Sequence, residues 1–481
     1  MLKMNPLVTD NAVFQAEKNH IVGGRTLPNQ TIKLIADTLI LEGRSDHKGE
    51  FSFILPPQDY GTSMRIRIIA EEESKEFSVQ YGDVFLFAGQ SNMQYTMAEE
   101  KHFLEERSSI SDEKIFFHVV DTPEYELKIE EEAHGNWQKL TSDNLGELSA
   151  IAYYSMKEHK KNHPDRIIGI VVCSKGGTSA SCWISEEDLT EEAVLNEEIM
   201  SPFSKAIEGR NKKSFDEEFK EYIQSYQQYS EKRAMWIREH PELTLGEIKQ
   251  QIGHSPWPPP ANPYLFNRPG GLYQTMFKRI APFSFSAVIW YQGEEDTAKG
   301  HLYSVLLNRL IHRWRKDLME QVPFYIIQLP LCQDKPQHDW ATVRRAQAQA
   351  IQDLDNLFLI TGLDCGEVDD IHPKEKALLG QRVGEIVDKV YYPSAPVAKI
   401  ADWCEAGLSI EVEYANSLEL QDHQIFELDT SIKKLTLEKN KIFIETTSSS
   451  HKISYAWENA PDVVLFNEVG YPVAPFRFER P

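Results

Sequence analysis

The strongest constraint on how this chain folds is a change of pattern at residue 83. From there to about residue 394, short uninterrupted apolar runs alternate with amphipathic stretches. The runs are DVFLFAG (83–89), RIIGIVVCS (166–174), FSAVIWYQG (285–293), VPFYIIQLP (322–330) and LFLITGLD (357–364). The stretches include ELSAIAYYSMKEHKKN, HLYSVLLNRLIHRWRKDL, WATVRRAQAQAIQDL and EKALLGQRVGEIVDKV. Each of these repeats apolar residues near i, i+3, i+4 and i+7, the spacing of one helical face. A continuous apolar run predicts a strand buried on both sides, and strands alternating with helices predict a parallel sheet covered by helices. The expected fold class is therefore α/β.

The flanks follow a different pattern. Residues 1–80 hold short period-two segments such as TIKLIADTLILEG and MRIRIIAEE, and residues 395–481 hold LSIEVEY, KKLTLEK and KIFIETT. Such alternation predicts strands with one buried face. Three parts are expected: an N-terminal β-sandwich-like domain over 1–80, an α/β domain over 81–394, and a C-terminal β domain over 395–481. A total of 481 residues suits that count at roughly 150 per domain. A charged helical insertion over about 186–262, containing FDEEFKEYIQSYQQYSEKRAMWIREH, interrupts the middle part. It ends at WPPPANP, because successive prolines cannot continue a helix, and its charge run reads as a solvated face.

Charge and cysteine content exclude several functions. With 51 Lys and Arg against 74 Asp and Glu, the net charge of −23 would repel nucleic acid and an anionic membrane surface alike. No apolar segment reaches the roughly 18 residues of a membrane span. The opening MLKMNPLVTDNAVFQAEKNH lacks the apolar run of about 7–15 residues typical of a secretory signal, so a cytoplasmic location is expected. Five cysteines without CxxC spacing suggest neither a disulfide framework nor a zinc site.

In an open parallel sheet, ligands bind beyond the carboxyl ends of the strands, so the residues just after each run carry the chemistry. These are Gln90, Ser91 and Asn92 after the first run, Lys175, Gly176 and Gly177 after the second, and Gln292 and Glu294 after the third. A loop with Asp369, Asp370 and His372 follows the fifth. A serine becomes a nucleophile when an imidazole takes its proton and a carboxylate fixes the imidazole tautomer. Ser91, His372 and Asp370 supply those roles. The tetrahedral intermediate needs preorganised donors, for which the N–H of Ser91, an N–H of Gly176 or Gly177, and the Gln292 amide are candidates. Each has a structural alternative: Ser91 as a helix cap, the glycines as a turn, Gln292 and Glu294 as structural hydrogen-bonders. The chain has neither G-x-S-x-G around Ser91 nor a P-loop.

Taken together, GDVFLFAGQSNM (82–93), GGTSASCWIS (176–185), WYQGEEDT (290–297), WATVRRAQ (340–347) and DIHPKEKALLGQR (370–382) resemble, in order, blocks of the sialate O-acetylesterase family. That family is a branch of the SGNH (GDSL-like) hydrolases that also includes acetylxylan-esterase-like enzymes. The resemblance implies an SGNH-type sheet and a serine esterase that removes O-acetyl groups from sugars. Ser91 would be nucleophile, His372 base and then acid, Asp370 its orienter, and Ser91, Gly176, Gly177 and Gln292 the oxyanion donors. No metal or organic cofactor is implied. Many SGNH enzymes place the acid three residues before the histidine, which would be Asp369, whereas DIHP points to Asp370. Two blocks depart from the family, GGTSASCW for GGTPIEAW and WYQGEED for WYQGESN, both on the substrate-facing rim.

O-acetylated sialic acid is the expected substrate, with acetylated plant oligosaccharides as the alternative and a non-catalytic sugar-binding protein as the rival of another class. Gln90, Asn92 and Glu294 are candidate supporting residues. Trp183, Trp340 and Trp257 are candidates for stacking on a sugar, while Trp290 and Tyr291 read as core. An anionic sugar would need local cations such as Lys175 or Arg344 to offset the overall charge.

Overall fold

The computed structural model describes residues 2–110, 114–122, 135–333, 337–405, 407–421, 426–428 and 430–480. Six strands form the parallel core: β1 (Glu73–Gly89), β2 (Ile115–Val119), β3 (Ile168–Ser174), β4 (Ala287–Tyr291), β5 (Phe324–Ile327) and β6 (Leu357–Ile360). Their order across the sheet is β2-β3-β1-β4-β5-β6, every neighbour parallel. β2 has no counterpart among the expected runs. After β1 the chain crosses to the outermost parallel strand at β2, returns to β3, and then passes to the far side of β1 at β4. β1 is thus the point where strand order reverses, the place at which such sheets bind ligands.

The long strand β1 also joins the flanking β segment. Its residues 73–80 pair antiparallel with Ser63–Ala70, and Val79–Gly82 pair parallel with Ala12–Gln15. Residues 83–89 then lie between β3 and β4. Burial follows this division: residues 73–76 are exposed, 77–80 alternate, and the last nine residues are all buried. One backbone strand therefore runs through residue 80, and the sheet as a whole is mixed with eleven strands. The C-terminal part is all β and has its own apolar cluster around Ile410, Ile444 and Ile453.

Helices α1 (Ala150–Asn162), α4 (Tyr303–Leu318), α5 (Trp340–Asp353) and α6 (Ala377–Val387) arise where the periodic stretches predict them. α1 packs on α6 and α4 on α5. The insertion supplies α2 (Lys212–Glu239), capped by the Asn211 side chain, and α3 (Leu245–Ile252), opened by a Thr244–Glu247 capping box. Of these two helices only Phe215 and Ile248 are buried. No helix among the described residues is long and apolar enough to cross a membrane.

Candidate active site

The sheet register sets the site. Gly89, Ser174 and Tyr291 lie level across β1, β3 and β4, so their successors meet at one rim. The Gln90 N–H donates to Tyr291 O at 3.0 Å, and the Lys175 N–H to Gly89 O at 3.0 Å. Beyond β1 the chain makes one helical turn, Ser91–Gln94. Ser91 opens that turn, so its N–H is one of the donors a helix leaves without an internal acceptor. A cleft of about 1050 Å³ lies over this rim, lined by Gln90, Ser91, Gly176, Gly177, Glu294, Glu295, residues 367–372, and half its wall from the insertion.

Ser91 and His372 meet in this cleft, with 2.8 Å between Oγ and Nε2. The two residues are 281 positions apart in sequence. The Asp370 carboxylate accepts the His372 backbone N–H at 2.9 Å. Burial pushes the His372 imidazole below its usual pKa; the Asp370 charge opposes this shift, and the Lys376 and Lys249 ammonium groups add to it. The imidazole is thereby kept neutral and able to accept a proton. Asp369 is differently placed. It lies against the start of α3, where a Cβ on Gly246 would sit 2.6 Å from the Asp369 Cγ.

Beneath the serine is a buried polar chain. The Asn92 amide donates to Glu294 Oε1 at 2.7 Å and to Ile371 O at 2.9 Å, tying the Ser91 turn to the residue before His372. Lys376 Nζ donates to Asn92 Oδ1 at 2.8 Å. Burial raises the Glu294 carboxyl and brings the Lys376 ammonium down to about 8, each against the pull of its neighbours. Asn92 and Glu294 are legible in the sequence as rim residues. Lys376 is not, because nothing in DIHPKEK distinguishes a buried ammonium from a solvated one.

Several expected residues lie elsewhere. Gln292 is fully buried, and its NH₂ donates to Gln90 Oε1, Thr178 O and Asp296 rather than into the cleft. The Gly176 N–H is held by Gln94 Oε1 at 2.8 Å. Gly177 lines the cleft at φ +67°, with a Cβ position 2.2 Å from the Trp257 ring, so only glycine allows the indole to pack there. Gln90 also lines the cleft, its carbonyl oxygen turned inward to accept from Gln292 and Glu295 N.

The aromatic and cationic expectations are corrected in the same way. Trp183 has no exposed surface and donates from Nε1 to Thr178 Oγ1, in a cluster with Trp290 and Trp314. Trp340 is buried at the start of α5. Of the three tryptophans considered for stacking, Trp257 is the one that lines the cleft, donating to Glu295 Oε2 at 3.1 Å. Arg344 is buried and donates to the carbonyls of Pro330, Glu458 and Asn459. Lys175 lies 4.7 Å from the centre of the Phe266 ring, outside the cleft wall.

The family model described as carbohydrate esterase, sialic acid-specific acetylesterase, matches residues 81–209 and 260–389, more than half of the chain. It leaves out most of the insertion. The mouse sialate O-acetylesterase is 23% identical over 390 residues, covering 73% of this chain and 65% of that protein. The human one is 22% identical over 444 residues, covering 85% and 72%. The chain thus spans somewhat less than two thirds of the mouse protein. A carbohydrate acetylesterase from Xanthomonas citri shares the fold over the full length of both chains, with a TM-score of 0.75 at 21% identity. The parallel sheet, the rim at the reversal of strand order and the matched blocks place this chain in the sialic acid-specific acetylesterase family of carbohydrate esterases, a family of carboxylic ester hydrolases.

Proposed function

We propose that this protein hydrolyses O-acetyl esters of sugars by a serine mechanism on an SGNH-type scaffold, O-acetylated sialic acid being the first substrate to test. The observation that carries the reading is the 2.8 Å contact of Ser91 Oγ with a half-buried, neutral His372 at the switch point of the sheet. Ser91 Oγ attacks the acetyl carbonyl as its proton passes to His372 Nε2. The resulting oxyanion is held by the N–H groups of Ser91 and Gly177, each worth on the order of 10²–10³ in rate. Gly176 and Gln292 have other partners and are left out of this set. Collapse breaks the C–O bond to the sugar, and His372 returns the proton to the departing oxygen. Water then attacks the acetyl-serine, giving its proton to His372, and acetate leaves as Ser91 regains a proton.

Asp370 is the orienter in this reading, supported by its bond to the His372 backbone and its opposing charge, whereas the Asp369 carboxylate abuts Gly246 at the start of α3. The division at 80 and 394 into β, esterase and β parts belongs to the same proposal, as does a cytoplasmic setting. Acetylated plant oligosaccharides remain the rival substrate class. The test is acetate release from p-nitrophenyl acetate by wild type, Ser91→Ala, Asp370→Asn and Asp369→Asn. Loss in the first two variants and near-normal rate in Asp369→Asn is expected. Equal rates in wild type and Ser91→Ala would end the serine mechanism, and no release from either would favour a sugar-binding protein.

A further inference from the structure

The insertion is outside the family match between residues 209 and 260, yet it forms half of the cleft wall. It is held in place at both ends. Phe215 is buried in an edge-to-face contact with Tyr264, and Trp257 packs on Gly177 while bonding to Glu295. Gly246 abuts Asp369. These contacts place α2 and α3 over Ser91 and His372 rather than away from them.

Charge is distributed unevenly between the two walls. Helix α2 carries Asp216, Glu217, Glu218, Glu221, Glu231 and Glu239, and none of them lines the cleft. The insertion instead lines the opening with two cations, Arg233 and Lys249, together with His240, His254, Tyr226 and Tyr229. It contributes no carboxylate to the wall. The family-matched wall opposite carries six carboxyl groups, at Glu99, Glu294, Glu295, Glu367, Asp369 and Asp370, against one ammonium, Lys374. In a chain of net charge −23, a cationic face so free of acids focuses a local field against the global one. Lys249 is near enough to His372 to affect its titration.

From this we infer that the insertion is the subsite for an acidic group on the sugar: Arg233 and Lys249 bind a carboxylate while the acetyl ester lies at Ser91. The inference rests on the esterase reading for its position relative to the acetyl group. A guanidinium on a carboxylate gives a charge-assisted hydrogen bond that a neutral ester cannot replace. Burying one such contact is worth about tenfold in affinity or more.

The test compares acetate release from O-acetylated N-acetylneuraminic acid and from the same sugar with its carboxylate capped as a methyl ester. The wild-type ratio of kcat/KM, acid over ester, is expected to exceed about tenfold at low salt. Arg233→Met with Lys249→Met should bring that ratio to within about twofold of unity, and Arg233→Lys should restore part of it. Lys220→Met, on α2 but not in the cleft wall, should keep the wild-type ratio. A wild-type ratio near one, or a double variant that keeps the preference, overturns the subsite. Calorimetric binding of the deacetylated acid and its methyl ester to Ser91→Ala reads the same preference without turnover. If Ser91→Ala still releases acetate, the serine mechanism fails, and the binding ratio still decides the role of the insertion.

Discussion

The two walls of the cleft are built in opposite ways. The floor under Ser91 is a buried, interlocked set in which Asn92, Glu294 and Lys376 join the serine turn to the His372 loop. The roof is a pair of helices with one buried side chain each, Phe215 and Ile248, and otherwise exposed faces. A buried polar network is costly to alter, because each partner left alone is an uncompensated charge or donor. An exposed helix tolerates substitution at nearly every position. Reaction geometry and substrate preference therefore reside in parts of very different tolerance, which is how an insertion can vary while the chemistry stays put.

The largest effect expected belongs to the floor. Ser91→Ala should lower kcat on p-nitrophenyl acetate by at least about 10³-fold, with thermal stability unchanged. Next is Lys376→Met, which leaves Glu294 buried without its counter-charge and should cost about 3–5 kcal/mol in denaturant unfolding. If that loss is under about 1 kcal/mol, the floor is no more constrained than the roof and the contrast fails.

On the roof, Phe215→Ala should cost about 3 kcal/mol, confined to the insertion. The readout is faster proteolysis and hydrogen exchange within residues 210–259, with the main melting transition in place; a uniform loss across the chain would break the comparison. A subtler measure is the pH profile of kcat/KM. His372 is lowered, so its neutral form persists below pH 6.5, and the acid limb should lie below the usual imidazole value. Removing the Lys376 charge should move that limb upward, and a limb at or above 6.5 in wild type contradicts the assigned environment. The smallest effect is on the roof surface. Lys212→Met, which breaks an exposed pair with Asp216, should change Tm by no more than about 2 °C.

How much of this was legible in sequence varied with the kind of information. Continuous apolar runs locate β1 and β3–β6, because burial on both faces removes alternation. β2 is missing from that pattern since its five residues IFFHV interpose a histidine in a short segment. The break near residue 80 reflects a change of burial along one strand, from one covered face to two. At the site, strand-end position brings Ser91, Gly177 and His372 to one rim. Direction is a different matter. Gln292 leaves β4 beside Gln90 but points its amide inward to Asp296, and Trp183, Trp340 and Arg344 fill the interior. Sequence spacing does not encode which way such a side chain turns. The insertion's charge run, read as a solvated face, is solvated on one side while presenting cations to the cleft on the other.

The guanidinium of Arg344 bears on modularity. It is enclosed, and the carbonyls that receive its N–H groups come from Pro330 on the catalytic side and from Glu458 and Asn459 near the end of the chain. Excising the C-terminal strands would strand a cation inside the esterase core. Catalytic and C-terminal parts should therefore melt in one cooperative step, and shuffling this esterase as a free-standing cassette would require neutralising position 344 first.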